Sequence, residues 1–171
     1  MLDRTDDLSI EADNWLAQFE SALATGGGGL LKTLFHPDSH WRDVLALSWE
    51  IRTVSGADAI LRELRGDAAR AGPAGFAIDR GRAAPRMVTR AGTDAIEAIF
   101  RFETAIGRGS GIVRLIADAD GGNALKAWTL LTALDELKGF EEPLGVARPR
   151  GQSYSRDFRG PNWLDLRNSA G

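Results

Sequence analysis

Apolar residues in the first half of the chain recur with the period of an α-helix. They share one helical face along Ala12–Leu23 and again along Ala57–Arg70. Four glycines at 26–29 end the first run, and a Gly-Pro-Ala-Gly segment at 72–75 ends the second. We therefore expect two amphipathic helices, with a third and shorter helix over Leu30–Phe35 between them.

Beyond residue 75 the apolar period shortens to two, which is the period of a β-strand. Strands are predicted over Ser39–Asp43, Trp49–Val54, Phe76–Ile78, Ile96–Glu103, Ile112–Ile116 and Leu125–Leu134. The glycine-rich segment Gly107–Ser110 is expected to form a turn. Alternation along the last strand predicts that Trp128 shares a face with Leu130 and Leu134.

The order of these elements, helices first and then a run of strands, indicates an α+β fold. We expect the N-terminal helices to pack on a strongly curved, mainly antiparallel sheet, which gives a cone-like domain with a cavity at its wide end. This domain is expected to span residues 1–137. Residues 138–171 are rich in proline, glycine and arginine and have no apolar period, so we interpret them as a C-terminal tail.

The composition is that of an ordinary globular protein, with 43% hydrophobic and 26% charged residues. The net charge of −3 argues against nucleic acid as a partner. No apolar stretch approaches the roughly 18 residues of a membrane span, and no signal-peptide pattern is seen, so we expect a cytoplasmic protein. The absence of cysteine excludes disulfides and zinc–cysteine sites. The excess of arginine over lysine is typical of a GC-rich bacterial genome.

Four segments resemble the SnoaL-like family of nuclear-transport-factor-2-like domains, namely Leu34–Asp43, Trp49–Ile60, Phe100–Thr104 and Lys126–Gly139. They are most similar to the N-terminal region of some bacterial flavin-containing monooxygenase-like proteins, and the resemblance covers nearly the whole chain. The segment Gly160–Asp165 looks like the linker that precedes the flavin domain of those proteins. The resemblance implies an accessory role beside a flavin-dependent partner domain or protein, because residues 1–171 include no dinucleotide-binding pattern.

By motif, Asp43 aligns with the general-base aspartate of ketosteroid isomerase, a relative in the same superfamily. The resemblance implies a carboxylate that takes a proton from a substrate. The rest of the isomerase pattern is missing, because the strand Ile112–Leu115 has no acid and the single tyrosine, Tyr154, lies in the tail. The structural alternative, which we favour, is that Asp43 caps a strand end or pairs with Arg42 or Arg52.

We also expect an apolar ligand cavity in the cone, with Asp43 near its mouth or floor. The candidate ligand-binding residues are Trp41, Trp49, Phe100, Phe102, Trp128 and His40. The tryptophans are at the same time good candidates for core residues. His36, Asp38, His40 and Asp43 form a cluster in the sequence, but their spacing matches no metal motif. We therefore expect no metal ion and no cofactor in this chain.

Three functions remain open at this point. The first is a small-molecule-binding or accessory domain that is not catalytic alone. The second is a stand-alone isomerase- or cyclase-type enzyme that uses Asp43 as general base on a small apolar substrate. The third is a dimerisation module. We expect a homodimer in any case, because the strands Ile112–Ile116 and Leu125–Leu134 present one face to the helices and leave the other free for a partner.

Overall fold

A computed structural model describes residues 4–118, 124–143 and 160–169. The chain divides into two compact units, Met1–Phe140 and Glu141–Gly171. The helices of the first unit are α1 Arg4–Thr25, α2 Gly28–Thr33 and α3 Ala57–Ala71. Its strands are β1 Phe35–Val44, β2 Ile51–Ser55, β3 Ala74–Ile78, β4 Arg86–Arg90, β5 Thr93–Glu103, β6 Gly107–Ala117 and β7 Leu125–Leu137. Within the described ranges, no helix has the length and apolar character needed to cross a membrane.

The seven strands form one sheet in the order β2-β1-β7-β6-β5-β3, and β4 pairs with β5 next to β3. β1 and β7 run parallel, and the other pairings are antiparallel. The sheet is curled but not closed, and the helices pack against one of its faces. The predicted α+β fold, with N-terminal helices on a strongly curved and mainly antiparallel sheet, is confirmed.

Aromatic side chains join α1 to the inner face of the sheet. Trp15 and Phe19 lie one helical turn apart and stack with ring centroids 5.0 Å apart. Phe19 meets Phe76 of β3 edge-on at 5.3 Å, and Phe76 stacks on Phe102 of β5 at 5.1 Å. The apolar face predicted for α1 is therefore buried against large rings, each of which contributes roughly 1.5–3 kcal/mol when it leaves water.

The glycines of Gly107–Ser110 lie in a strand and not in a turn, so that prediction is wrong. β6 begins at Gly107, and the chain reverses just before it, at residues 104–106. A Cβ built on Gly109 would lie 2.7 Å from the ring of Phe102 and 2.6 Å from the carbonyl oxygen of Ala133. Glycine is present here because the phenylalanines of β5 cross the inner face of β6 and leave no room for a side chain.

The predicted face of Trp128 is also wrong. Ala127 and Leu130 are both buried, three positions apart, which strict strand alternation does not allow. The register between β6 and β7 shifts at this point, and Trp128 is the extra residue of a β-bulge. It is half-buried and does not share the inner face with Leu130.

Two elements were not predicted from the sequence. The strand β4 has no apolar alternation and is held by its pairing with the first half of β5. The second unit contains a short helix, α4 Trp163–Ser169. Asn162 caps it by accepting the N–H groups of Leu164 and Asp165, while Asp165 accepts the N–H of Asn162. Most of the predicted tail, residues 144–159 and 170–171, lies outside the described residues.

The outer face of the sheet carries a nearly buried carboxylate, Glu97 of β5. Arg86 donates to it at 2.9 Å and Arg114 at 2.8 Å, and the guanidinium of Arg90 lies 3.9 Å away. Burial alone would raise the pKa of Glu97, but the hydrogen bonds from Arg86 and Arg114 outweigh it and lower the pKa below its usual range.

We expect Gly109→Ala to destabilise the protein by about 1–3 kcal/mol or more, because the new methyl group meets Phe102 and a backbone carbonyl that cannot move aside. The measurement is the urea unfolding midpoint. Gly29→Ala is the matched control, since a Cβ at Gly29 in α2 meets nothing within 4 Å. It should leave stability unchanged or raise it. Equal effects of the two changes would contradict the packing explanation.

We expect Glu97→Gln to reduce stability at neutral pH by roughly 1–3 kcal/mol, because charge-assisted hydrogen bonds are lost. The folded-state pKa of Glu97 is depressed, so its contribution is present above the unfolded pKa and is lost as pH falls through the folded pKa. The difference in the free energy of unfolding between wild type and variant should therefore shrink as the pH falls. Urea unfolding at a series of acidic pH values measures this difference. Glu11→Gln, on the exposed surface of α1, is the control and should differ from wild type by less than about 0.5 kcal/mol.

Candidate functional site

Asp43 lies near the end of β1 with its side chain on the helix side of the sheet and no exposed surface. Its carboxylate accepts the backbone N–H of Leu47 at 3.1 Å and that of Ser48 at 2.8 Å. The hydroxyls of Ser48 and Thr132 each donate to it at 2.6 Å. Four donors thus hold one buried carboxylate, which is the arrangement that makes such burial tolerable.

A further hydrogen bond across the sheet links Thr132, and through it Asp43, to Trp41. Thr132 of β7, which pairs with Asp43 in the parallel register, accepts the indole N–H of Trp41 at 3.0 Å. Trp41 is fully buried, and the guanidinium of Arg52 lies over its ring at 5.4 Å. A chain of polar groups from Trp41 through Thr132 to Asp43 therefore lies inside an otherwise apolar interior.

A second buried acid lies on α3, close to this chain. Asp67 is paired with Arg52 of β2 and with Arg70 of its own helix. Burial raises the pKa of Asp67, although the two guanidinium groups act in the opposite direction, and the negative charge of Asp43 adds to the increase. Arg52 also contacts Glu63 at 3.4 Å, and its Nε–H is buried without a hydrogen-bond partner.

The segment Leu45–Glu50, between β1 and β2, folds over Asp43. Leu47 is 1% exposed and belongs to the hydrophobic core, and Ala46 is buried beside it. The ends of the segment are joined by a hydrogen bond of 3.0 Å from the Leu45 N–H to the Glu50 carbonyl. The concave side of the sheet at Asp43 is therefore occupied by this protein's own loop.

The structure does not bring the predicted site residues together in one place. Trp41 and Asp43 lie together, and Phe100 and Phe102 lie together in the aromatic cluster on the inner face of β5. His40 alternates to the outer face, where its ring contacts the Ser55 hydroxyl at 2.8 Å. Trp49 is half exposed in the loop, and Trp128 sits in the bulge of β7. The role of these residues in ligand binding stays a prediction.

Several grooves lie elsewhere on the first unit, and two of them are large. One, of about 550 Å³, has Arg101, Phe102, Glu103 and Asp135 in its walls. The other, of about 610 Å³, lies at the start of α3 beside Lys32. Neither includes Trp41 or Asp43. Within the described parts of the chain, no group of three or more His, Asp or Glu side chains is arranged to hold a metal ion.

Sequence reasoning did not identify Thr132, Leu47, Ser48 or Asp67 as part of this region. Thr132 is separated from Asp43 by 89 positions and reaches it only through the β1–β7 pairing. Ser48 lies five positions after Asp43, which is outside the spacings of the common side-chain-capped turns, so no local signal pointed to it. For Asp67, by contrast, an acid on the apolar face of α3 was a signal.

No protein-family model matches the sequence, and no curated protein is significantly similar to it. Solved structures are similar in fold. A nuclear transport factor 2-like protein from Salmonella enterica serovar Typhimurium is 13% identical with a TM-score of 0.52, and the match covers 85% of this chain and 99% of that one. The protein Aln2 from a Streptomyces species is 16% identical with a TM-score of 0.55, over 75% and 91% of the two chains.

A third similar structure is a nuclear transport factor 2-like protein with a cystatin-like fold from Novosphingobium aromaticivorans. It is 15% identical with a TM-score of 0.52, and the match covers 77% of this chain and 84% of that one. Identities this low establish a shared architecture and nothing about chemistry. The chain has the nuclear transport factor 2-like fold, as the sequence resemblance implied.

Proposed function

We propose that this chain is a small-molecule-binding domain that does not catalyse a reaction alone. The observation that carries the proposal is the buried chain of polar groups from Trp41 through Thr132 to Asp43 in an apolar interior. Ligand sites in proteins are typically apolar with a few convergent polar groups that fix orientation. A ligand suited to this interior is a small apolar molecule with one polar group.

Binding is favoured over turnover by the state of Asp43. A general base must offer a free lone pair to the substrate, whereas the Asp43 carboxylate accepts four protein donors. The alternative, an isomerase- or cyclase-type enzyme with Asp43 as base, also requires a second group that stabilises the developing charge, and the strand Ile112–Leu115 has no acid to supply it. Exchange of the α-protons of a small ketone for solvent deuterium, lost in Asp43→Asn, would favour that alternative.

The outer face of the sheet supports the further proposal of a homodimer. Ile99, Ile112 and Leu131 lie side by side in register on β5, β6 and β7, and each is only half-buried. Helices cover the opposite face, so this row is the part of the sheet that a second copy of the chain would cover. A two-fold axis near Ile112 would place the same row from both copies in contact.

The sequence resemblance adds a partner of another kind, a flavin-dependent monooxygenase-like domain or protein. This partnership stays a prediction that rests on the resemblance alone. A flavin-binding reading frame that continues or neighbours this one would support it.

For ligand binding, we expect Asp43→Asn to lower the affinity for small apolar ligands that carry a polar group by at least about tenfold. The reason is that an amide cannot accept hydrogen bonds from all the donors that a carboxylate accommodates. Ligands without a polar group should be unaffected. The measurement is the ligand-induced shift of Tm, followed by calorimetric titration. Asp38→Asn is the control, because Asp38 lies on the same strand with its side chain 81% exposed. No binding of such molecules to the wild type would refute the proposed function.

For the dimer, we expect Ile112→Glu to weaken self-association by at least about tenfold, because a charge would be buried in the interface. Sedimentation velocity at tens of micromolar measures the change. Ile10→Glu on α1 is the control, since Ile10 is an exposed isoleucine away from the sheet. A monomeric wild type at these concentrations would rule the dimer out.

A further inference from the structure

The loop Leu45–Glu50 combines two features that are seldom found together. Its centre is core, because Ala46 and Leu47 are 3% and 1% exposed. Its flanks are in an unfavourable backbone conformation, because Leu45 and Trp49 have φ angles of 62° and 61°. Bulky residues such as leucine and tryptophan rarely adopt this left-handed region, which glycine adopts readily. The loop is therefore held by its contacts and not by its own conformational preference.

Those contacts converge on Asp43. The loop supplies three of its four donors, which are the backbone N–H groups of Leu47 and Ser48 and the hydroxyl of Ser48. The fourth donor, Thr132, belongs to the sheet and would stay in place if the loop moved. Leu47 meanwhile fills the apolar space beside the carboxylate. An isobutyl group and hydrogen-bond donors thus occupy the site where the proposed ligand would bind.

We propose that Leu45–Glu50 is a displaceable plug, and that the ligand that replaces it is a compact apolar alcohol. This inference rests on the proposed function and adds the class of ligand and the route by which the ligand reaches Asp43. The ligand's apolar part takes the place of the Leu47 side chain, and its hydroxyl donates to Asp43.

A hydroxyl is favoured over an ammonium group by Arg52. The guanidinium of Arg52 lies over the ring of Trp41, and Arg52 is the register partner of Asp43 on the neighbouring strand β2. An ammonium group would add a second positive charge near this guanidinium, whereas a neutral hydroxyl donates to the carboxylate without that repulsion. The displacement releases the strain at Leu45 and Trp49, which offsets part of the cost of opening.

The first experiment measures the binding of isobutanol and of its methyl ether to Leu47→Ala by thermal shift and calorimetry. The ether has the same apolar part but no donor. Leu47→Ala should bind isobutanol at least about tenfold more tightly than the wild type does, because the plug no longer competes. It should also prefer the alcohol to the ether, and Asp43→Asn in the same background should remove that preference.

Leu31→Ala is the matched control, because Leu31 is a leucine of the same 1% exposure in α2. Its cavity lies away from the Asp43 carboxylate, so it should bind the alcohol and the ether alike. Equal binding of both probes to Leu47→Ala would overturn the inference.

Two milder changes test the plug if Leu47→Ala does not fold. Ser48→Ala removes one donor to Asp43 and should raise both the affinity for isobutanol and the amide exchange rates of Leu47 and Ser48 several-fold. Leu45→Asn should lower both, because asparagine tolerates the left-handed backbone and so stabilises the closed loop. The inference would be overturned if the two variants shifted the affinity in the same direction, or if neither variant changed the affinity or the exchange rates.

The outcomes separate the two proposals. If the wild type binds small apolar molecules with a polar group but Ser48→Ala, Leu45→Asn and Leu47→Ala leave the affinity unchanged, the plug is wrong and the binding function stands. If the wild type binds none of them, the proposed function fails, and the plug, which rests on it, fails as well.

Discussion

The Asp43 carboxylate joins its own strand and the loop that follows it to a strand that lies 89 positions further along the chain. It connects the end of β1 to the loop Leu45–Glu50 and, through Thr132, to β7. A buried carboxylate without partners would destabilise the fold by several kcal/mol. The closed arrangement, which supplies four donors, is therefore favoured as long as no other group takes their place. The path of the loop and the pairing of β1 with β7 both bring donors to this carboxylate.

In the half of the sheet that contains β5 and β6, the steric constraint comes from aromatic rings. Phe100 and Phe102 of β5 lie across the inner face of β6, which has glycines at the positions beneath them. Their rings reach Phe76 and, through it, Phe19 of α1. One end of the interior is thus closed by close packing, while the end at Asp43 is closed by a loop and by hydrogen bonds. The second kind of closure removes only Ala46 and Leu47 from the core when it opens, whereas the first involves the aromatic cluster that joins α1 to the sheet.

The loop Leu45–Glu50, and not an open cavity, lies over Asp43. The fold is shared with proteins that are 13–16% identical, and a shared fold carries many unrelated functions. In this chain the buried polar groups around Asp43 and the loop above them carry the proposed function. An accessory role beside a flavin-dependent partner and an exposed sheet face suited to a second copy are both compatible with a ligand site on the helix side of the sheet.

The sequence by itself determined the elements that depend on local periodicity. The helices along Ala12–Leu23 and Ala57–Arg70 and the inner face of β5 follow from it, because each pattern repeats within a few residues. Strand alternation also places the side chain of His40 on the opposite face of the sheet from that of Trp41. Only the tertiary structure decided whether Gly107–Ser110 turns or extends, since the answer depends on the rings of a neighbouring strand. It also decided that Asp43 anchors a loop, because Thr132 reaches it through a strand pairing that no local pattern contains.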